Sequence, residues 1–89
     1  MLKITKMEGG GATVVLKLEG KVTDQWAVLL NEECRALLGK GKTLLLECTN
    51  VQFLDDRGAD VLRNLPQQQV TIMGAPGFVT ELLETGGRS

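Results

Sequence analysis

The spacing of apolar positions changes along this chain, and each change marks an element. Leu2-Lys3-Ile4-Thr5-Lys6-Met7 alternates with a period of two, the mark of a strand with one buried face. Ala12-Thr13-Val14-Val15-Leu16-Lys17-Leu18-Glu19 predicts a second, longer strand, and Glu8-Gly9-Gly10-Gly11 between them reads as a hairpin turn. A glycine run can also cradle phosphate, but that use needs a helix directly after it, and here a strand follows. Past Gly20 the period lengthens. Trp26, Leu29, Leu30, Cys34, Leu37 and Leu38 form the i, i+3, i+4 stripe of a helix packed on one side, with Asn31, Glu32 and Arg35 toward water. Thr23 or Asp24 can cap its start, and Gly39 and Gly41 are stop signals just past Leu38.

Thr43-Leu44-Leu45-Leu46-Glu47-Cys48 is nearly all apolar, which predicts a central strand covered on both faces. Residues 49–54 read as a loop, and a short helix over residues 57–65 ends at Pro66, which lacks the N–H and clashes with the preceding turn. Val70-Thr71-Ile72-Met73 is a last strand, and Pro76 stands near the start of a closing helix over residues 78–84, where proline is tolerated. The order β-β-α-β-α-β-α predicts one α/β domain over residues 1–85, with residues 86–89 a disordered tail. Strands alternating with helices after a hairpin imply a central, mostly parallel sheet of about four strands with helices packed against it.

Composition narrows the function. At 89 residues the chain has room for one small core. Its 43% apolar and 24% charged residues are those of an ordered globular domain. Net charge is −1, the basic residues are scattered, and the aromatics are only Trp26, Phe53 and Phe78. Neither a basic stripe nor a stacking platform is present, so no nucleic-acid partner is expected. No apolar run approaches the roughly 18 residues of a membrane span, so no membrane insertion or export signal is expected either. Cys34 and Cys48 lie in apolar contexts and read as small core hydrophobes, which fits a reduced, cytoplasmic setting.

Reactive side chains are scarce. The chain has no histidine, and its one serine is Ser89 in the tail. Two isolated cysteines cannot supply the four ligands of a zinc site. No catalytic residue, metal or cofactor is expected, and the chain reads as non-enzymatic. One polar constellation stands out: Asp55, Asp56, Arg57 and Asp60 at the start of the second helix. Asp56 and Asp60 are four apart and share a helical face. Acidic residues there are favoured by the helix dipole by about 0.3–1 kcal/mol each. The cluster reads as a capped helix start, as a charged contact surface, or as a weak divalent-cation site. The divergence of adjacent Asp55 and Asp56 argues against chelation.

At this turn the sequence resembles the STAS domain family of anti-sigma factor antagonists and sulfate-transporter tails. Three stretches carry the likeness: Leu16-Lys17-Leu18-Glu19-Gly20-Lys21-Val22; the run from Lys42 through Cys48 to Phe53-Leu54-Asp55-Asp56-Arg57-Gly58; and Val70-Thr71-Ile72-Met73-Gly74-Ala75-Pro76. The resemblance implies a module that binds a kinase-like anti-sigma partner and is switched by phosphorylation of a serine just before the glycine. A phosphate adds about −1.5 to −2 charge and would block docking. This chain departs from that pattern. Asp55 and Gly58 match, but Arg57 occupies the phosphoacceptor position, Asp56 precedes it, Thr23 replaces a frequent aspartate, and Pro66 shortens the second helix. The expected function is therefore protein binding through Asp55, Asp56, Arg57, Gly58, Asp60 and Arg63 without a serine switch. Alternatives are an accessory subunit of a lipid-transport ATPase complex, a small-ligand or nucleotide-binding domain, and a homodimer paired along a sheet edge.

Overall fold

The computed structural model describes residues 1–8 and 11–86. Gly9 and Gly10 of the predicted hairpin turn, and residues 87–89 of the predicted tail, lie outside the described residues. The elements are β1 (Leu2–Glu8), β2 (Thr13–Val22), α1 (Asp24–Gly39), β3 (Thr43–Leu54), α2 (Asp56–Asn64), β4 (Val70–Met73) and α3 (Gly77–Gly86). One mixed sheet runs in the order β1-β2-β3-β4. The hairpin pairs antiparallel, with Leu2 opposite Gly20 and Glu8 opposite Val14. The β2–β3 and β3–β4 pairs are parallel. The α/β class, the element order and the mostly parallel four-stranded sheet are those the sequence predicts.

Side-chain alternation decides what the sheet buries. Val14, Leu16 and Leu18 of β2 and Leu44, Leu46 and Cys48 of β3 are fully inaccessible, and each such leucine stabilises the fold by about 1.5–3 kcal/mol through burial. Their alternates Val15, Lys17, Leu45 and Glu47 are only partly covered. This corrects the expectation of a central strand enclosed on both sides. All three helices lie over one face. The helix α1 packs on β2 and β3, α2 on β3, and α3 against α2. Leu62 of α2 and Leu83 of α3 border one cleft together with Val70 and Ile72 of β4. A continuous apolar run reports high hydrophobicity on both faces, but a cover also needs an element to supply it.

One boundary and one helix face also differ from expectation. Strand β3 continues through residues 49–54, where a loop was expected. Its pairing with β2 shifts register between Lys17 and Glu19 and again between Gly20 and Lys21. Such irregularities reset which side a residue faces, so Val51 and Leu54 are both buried although three apart. In α1 the buried stripe is Ala27, Leu30, Cys34 and Leu37. Leu29 is 39% exposed rather than internal, and Trp26 and Leu38 flank the core half-buried. Reading the stripe from the bulky residues rotates the helix, because small Ala27 is fully buried in it while bulky Leu29 is not.

Cys34 and Cys48 are buried free thiols within the core. Burial pushes the Cys34 thiol up to about 11 and the Cys48 thiol up to about 12. Both stay protonated and inert as nucleophiles. They act as small apolar side chains, as their sequence context predicts.

Candidate functional site

The candidate site is the start of α2, and it is built on one carboxylate. Asp55 follows β3 directly with extended backbone and caps α2, its Oδ1 accepting the Gly58 N–H at 2.8 Å. Its Oδ2 accepts the Asp24 N–H at 3.0 Å, from the first residue of α1. Each helix start leaves backbone donors unpaired, and this single side chain satisfies one in each. Thr23 holds the cap position of α1 in extended backbone but makes no side-chain cap bond, contrary to the expected local cap. Asp24 itself is left-handed, with φ of 45°. Aspartate tolerates that region better than most residues, and the Asp55 bond holds it there.

The end of β2 anchors the same junction. The Asp55 N–H donates to the Val22 carbonyl at 3.3 Å. Gly58 is buried against that carbonyl, and a Cβ at this position would run into the Val22 oxygen. Glycine is therefore required for close approach, with its freedom of φ playing no part. Two helix starts and one strand end converge within a few residues, and the turn between β3 and α2 is set by all three.

The six predicted site residues divide into two groups. Asp55 is half-buried with both oxygens engaged, and Gly58 is buried, so these two shape the turn. Asp56, Arg57 and Asp60 are exposed and face solvent. Arg63 stands between them: it is half-buried, donates to the Leu82 carbonyl of α3 at 3.0 Å, and pairs with Asp60. It straps α2 to α3 and holds one of the three exposed charges.

Sequence reasoning missed the residues on the α1 side. Arg35, assigned to the wet face, donates to the Asn64 carbonyl at 3.1 Å and to Asn31 at 3.3 Å, so it ties α1 to the last turn of α2. A cation at a helix C-terminus is favoured by the dipole. Val28 lies seven residues earlier on the same stripe and is 45% exposed. That i, i+7 spacing was the one signal available, and it could not say that a second helix ran alongside.

The arrangement can recognise charge but offers little for chemistry. Among the described residues no group of three or more His, Cys, Asp or Glu side chains converges as a metal would require. The cleft bounded by Leu62, Arg63, Leu65, Val70, Ile72 and Leu83 has a volume of about 200 Å³. Pockets for drug-sized ligands or cofactors run to roughly 300–1,000 Å³, so this cleft falls below that range, while a shallower hollow of about 480 Å³ is lined by Glu19, Gly20, Thr49, Asn50, Val51 and Gln52. Among the described residues no helix is long and apolar enough to cross a membrane.

The mixed four-stranded sheet with three helices on one face has the STAS-like architecture. A solved structure of the anti-sigma factor antagonist SpoIIAA in its unphosphorylated form superposes with a TM-score of 0.76 at 16% identity, over 96% of this chain and 81% of that one. No protein-family model and no curated protein matches the sequence.

Proposed function

We propose that this chain is a non-enzymatic regulatory module of the STAS type that docks a protein partner through the start of α2 and is not switched by serine phosphorylation. The carrying observation is the division of labour at that turn. Asp55 and Gly58 hold the backbone of both helix starts, while Asp56, Arg57 and Asp60 are left exposed on a rigid scaffold. Charges carried on a backbone fixed in this way set specificity and association rate, since little loop ordering remains to be lost on docking. Val28, exposed on α1 seven residues before the Arg35 that bonds the last turn of α2, adds an apolar side chain on the neighbouring helix.

The likeness of fold to an anti-sigma factor antagonist supports the class of function. Arg57 at the expected phosphoacceptor position supports the loss of the switch, because arginine carries no hydroxyl for a serine kinase to modify and is always charged. On this reading the partner is an anti-sigma kinase-like protein or a transporter component, met in the cytoplasm, and residues 1–85 act as one domain.

The test is capture from the native host by immobilised wild type and Arg57→Glu, in parallel with a kinase reaction on whatever is captured. Wild type should retain a partner, the charge-reversed variant should lose it by about tenfold or more, and no phosphate should enter the chain. Equal capture by both proteins removes the α2 start from the mechanism. Phosphate incorporation would overturn the unswitched reading.

A further inference from the structure

The face of the sheet opposite the helices carries two polar–apolar rows in register. Met7, Val15, Leu45 and Thr71 lie side by side across the four strands. Thr5, Lys17, Glu47 and Met73 form the next row. Met7 and Met73 are 47% and 48% exposed, and among the described residues no helix covers these rows. Lys17 and Glu47 are neighbours on the two central strands, one positive and one negative at the same height.

That placement makes the face complementary to itself. A twofold axis parallel to the strands, along the β2–β3 midline, lays β2 over β3 of a second copy and preserves height. Lys17 then meets Glu47 of the other copy, Glu47 meets its Lys17, and Val15 meets its Leu45. Met7 and Met73 fall opposite threonines, where a flexible thioether fills an uneven gap. A twofold axis across the strands would instead stack Lys17 on Lys17 and Glu47 on Glu47, which like-charge repulsion disfavours. We propose that this chain self-associates through the bare sheet face, with reciprocal Lys17–Glu47 contacts fixing the parallel arrangement.

Glu47 is prepared for that contact. Its two oxygens accept the Thr49 N–H and the Thr49 hydroxyl, each at 2.9 Å, which aims the carboxylate and fixes its rotamer. Those bonds, with the nearby Lys17 ammonium, hold its carboxyl below the usual range, so the negative charge persists into mild acid. Sheets packed face to face stand about 10 Å apart, close enough for long side chains to meet. Four strands by about five residues cover on the order of 350 Å², under half of the roughly 800 Å² per partner of a standard interface. The dimer is therefore weak and dependent on concentration. It uses the sheet's face and leaves its edges unpaired.

Sedimentation velocity of the whole chain from about 10 μM to about 1 mM at low salt tests this, with circular dichroism confirming that each variant folds. Wild type should pass from monomer to dimer across that range. Lys17→Glu and Glu47→Lys should each raise the apparent Kd about tenfold or more. Their equimolar mixture should recover dimer, because a heterodimer of the two restores both opposite-charge contacts. Mixing cannot relieve repulsion within one chain, so recovery separates the intermolecular contact from a merely structural effect. A wild type that stays monomeric at about 1 mM, variants that dimerise unchanged, or a mixture that fails to recover would each overturn the proposal.

Discussion

Leu44 and Leu45 are the same residue in consecutive positions of β3, yet Leu44 is fully buried beneath the helices and Leu45 looks out from the bare face. The same split runs along the neighbouring strand, with Leu16 inside and Val15 and Lys17 outside. On the covered face, the side chains are locked into one core with α1, α2 and α3. On the open face, identical chemistry contributes little to folding and remains free to meet another surface. Apolar character alone therefore does not assign a residue to stability or to association. The side of the sheet does, and it is set by which way the crossovers pass.

The sharpest way to break this comparison is a pair of truncations on adjacent side chains. Leu46→Ala removes a fully buried side chain and should cost about 2–5 kcal/mol in urea unfolding, from lost burial plus the cavity left behind. Leu45→Ala should cost under about 1 kcal/mol in the monomer, since its side chain is already partly hydrated. Equal losses would mean the open face is covered after all.

The helix junction comes next in size. Asp55→Ala removes the acceptor for both the Gly58 and Asp24 N–H groups and should destabilise the fold by about 2–3 kcal/mol. Asp55→Asn keeps one oxygen acceptor and should recover about half of that. A loss no larger than a few tenths of a kcal/mol would mean that water replaces the carboxylate at both helix starts.

Alkaline titration probes the covered face by another route. Both cysteine thiols have folded values raised above the ordinary one of 9.0, to about 11 and about 12. In the unfolded chain they ionise first, so the native state holds more protons between these limits and stability falls as pH rises. Their contribution is complete below about pH 8.5, declines above it, and is lost by the folded values. Denaturation midpoints measured from pH 8 to 11 should fall, and replacing both thiols with alanine should flatten that part of the fall. No change in slope would place the thiols in contact with solvent.

Glu47 gives the smallest expected effect. Its folded value is depressed by the Thr49 bonds, so its contribution is present above the unfolded carboxylate value of about 4.3 and is lost as pH falls through the lower folded one. Glu47→Gln should lessen the acid-side decline slightly, and a large effect on folding would contradict its place on the open face.

Much of this was legible from the sequence because short-range rules govern it. Period-two runs at residues 2–7 and 12–19, the helical stripe after Gly20, and Pro66 and Pro76 at element boundaries gave the element order. The acidic turn at residues 55–60 was visible as a helix start for the same reason. Errors arose where a distant element intervened. Residues 49–54 look like loop because the shifted pairing with β2 breaks their alternation, and that pairing spans more than 30 positions. Thr23 resembles a cap, but Asp55, which is 31 residues beyond the Asp24 N–H it accepts, takes the role. Arg35 looked solvated because nothing nearby in sequence announces the Asn64 carbonyl.

By itself the sequence determined the element order, the alternation within the hairpin strands and the want of reactive side chains, because backbone preference and residue chemistry act within a few positions. Only the tertiary structure decided which sheet face was covered, which aspartate would serve two helices, and which charges were left exposed. Those outcomes depend on where crossovers carry whole elements, and a side chain's role follows from the neighbours it acquires in space.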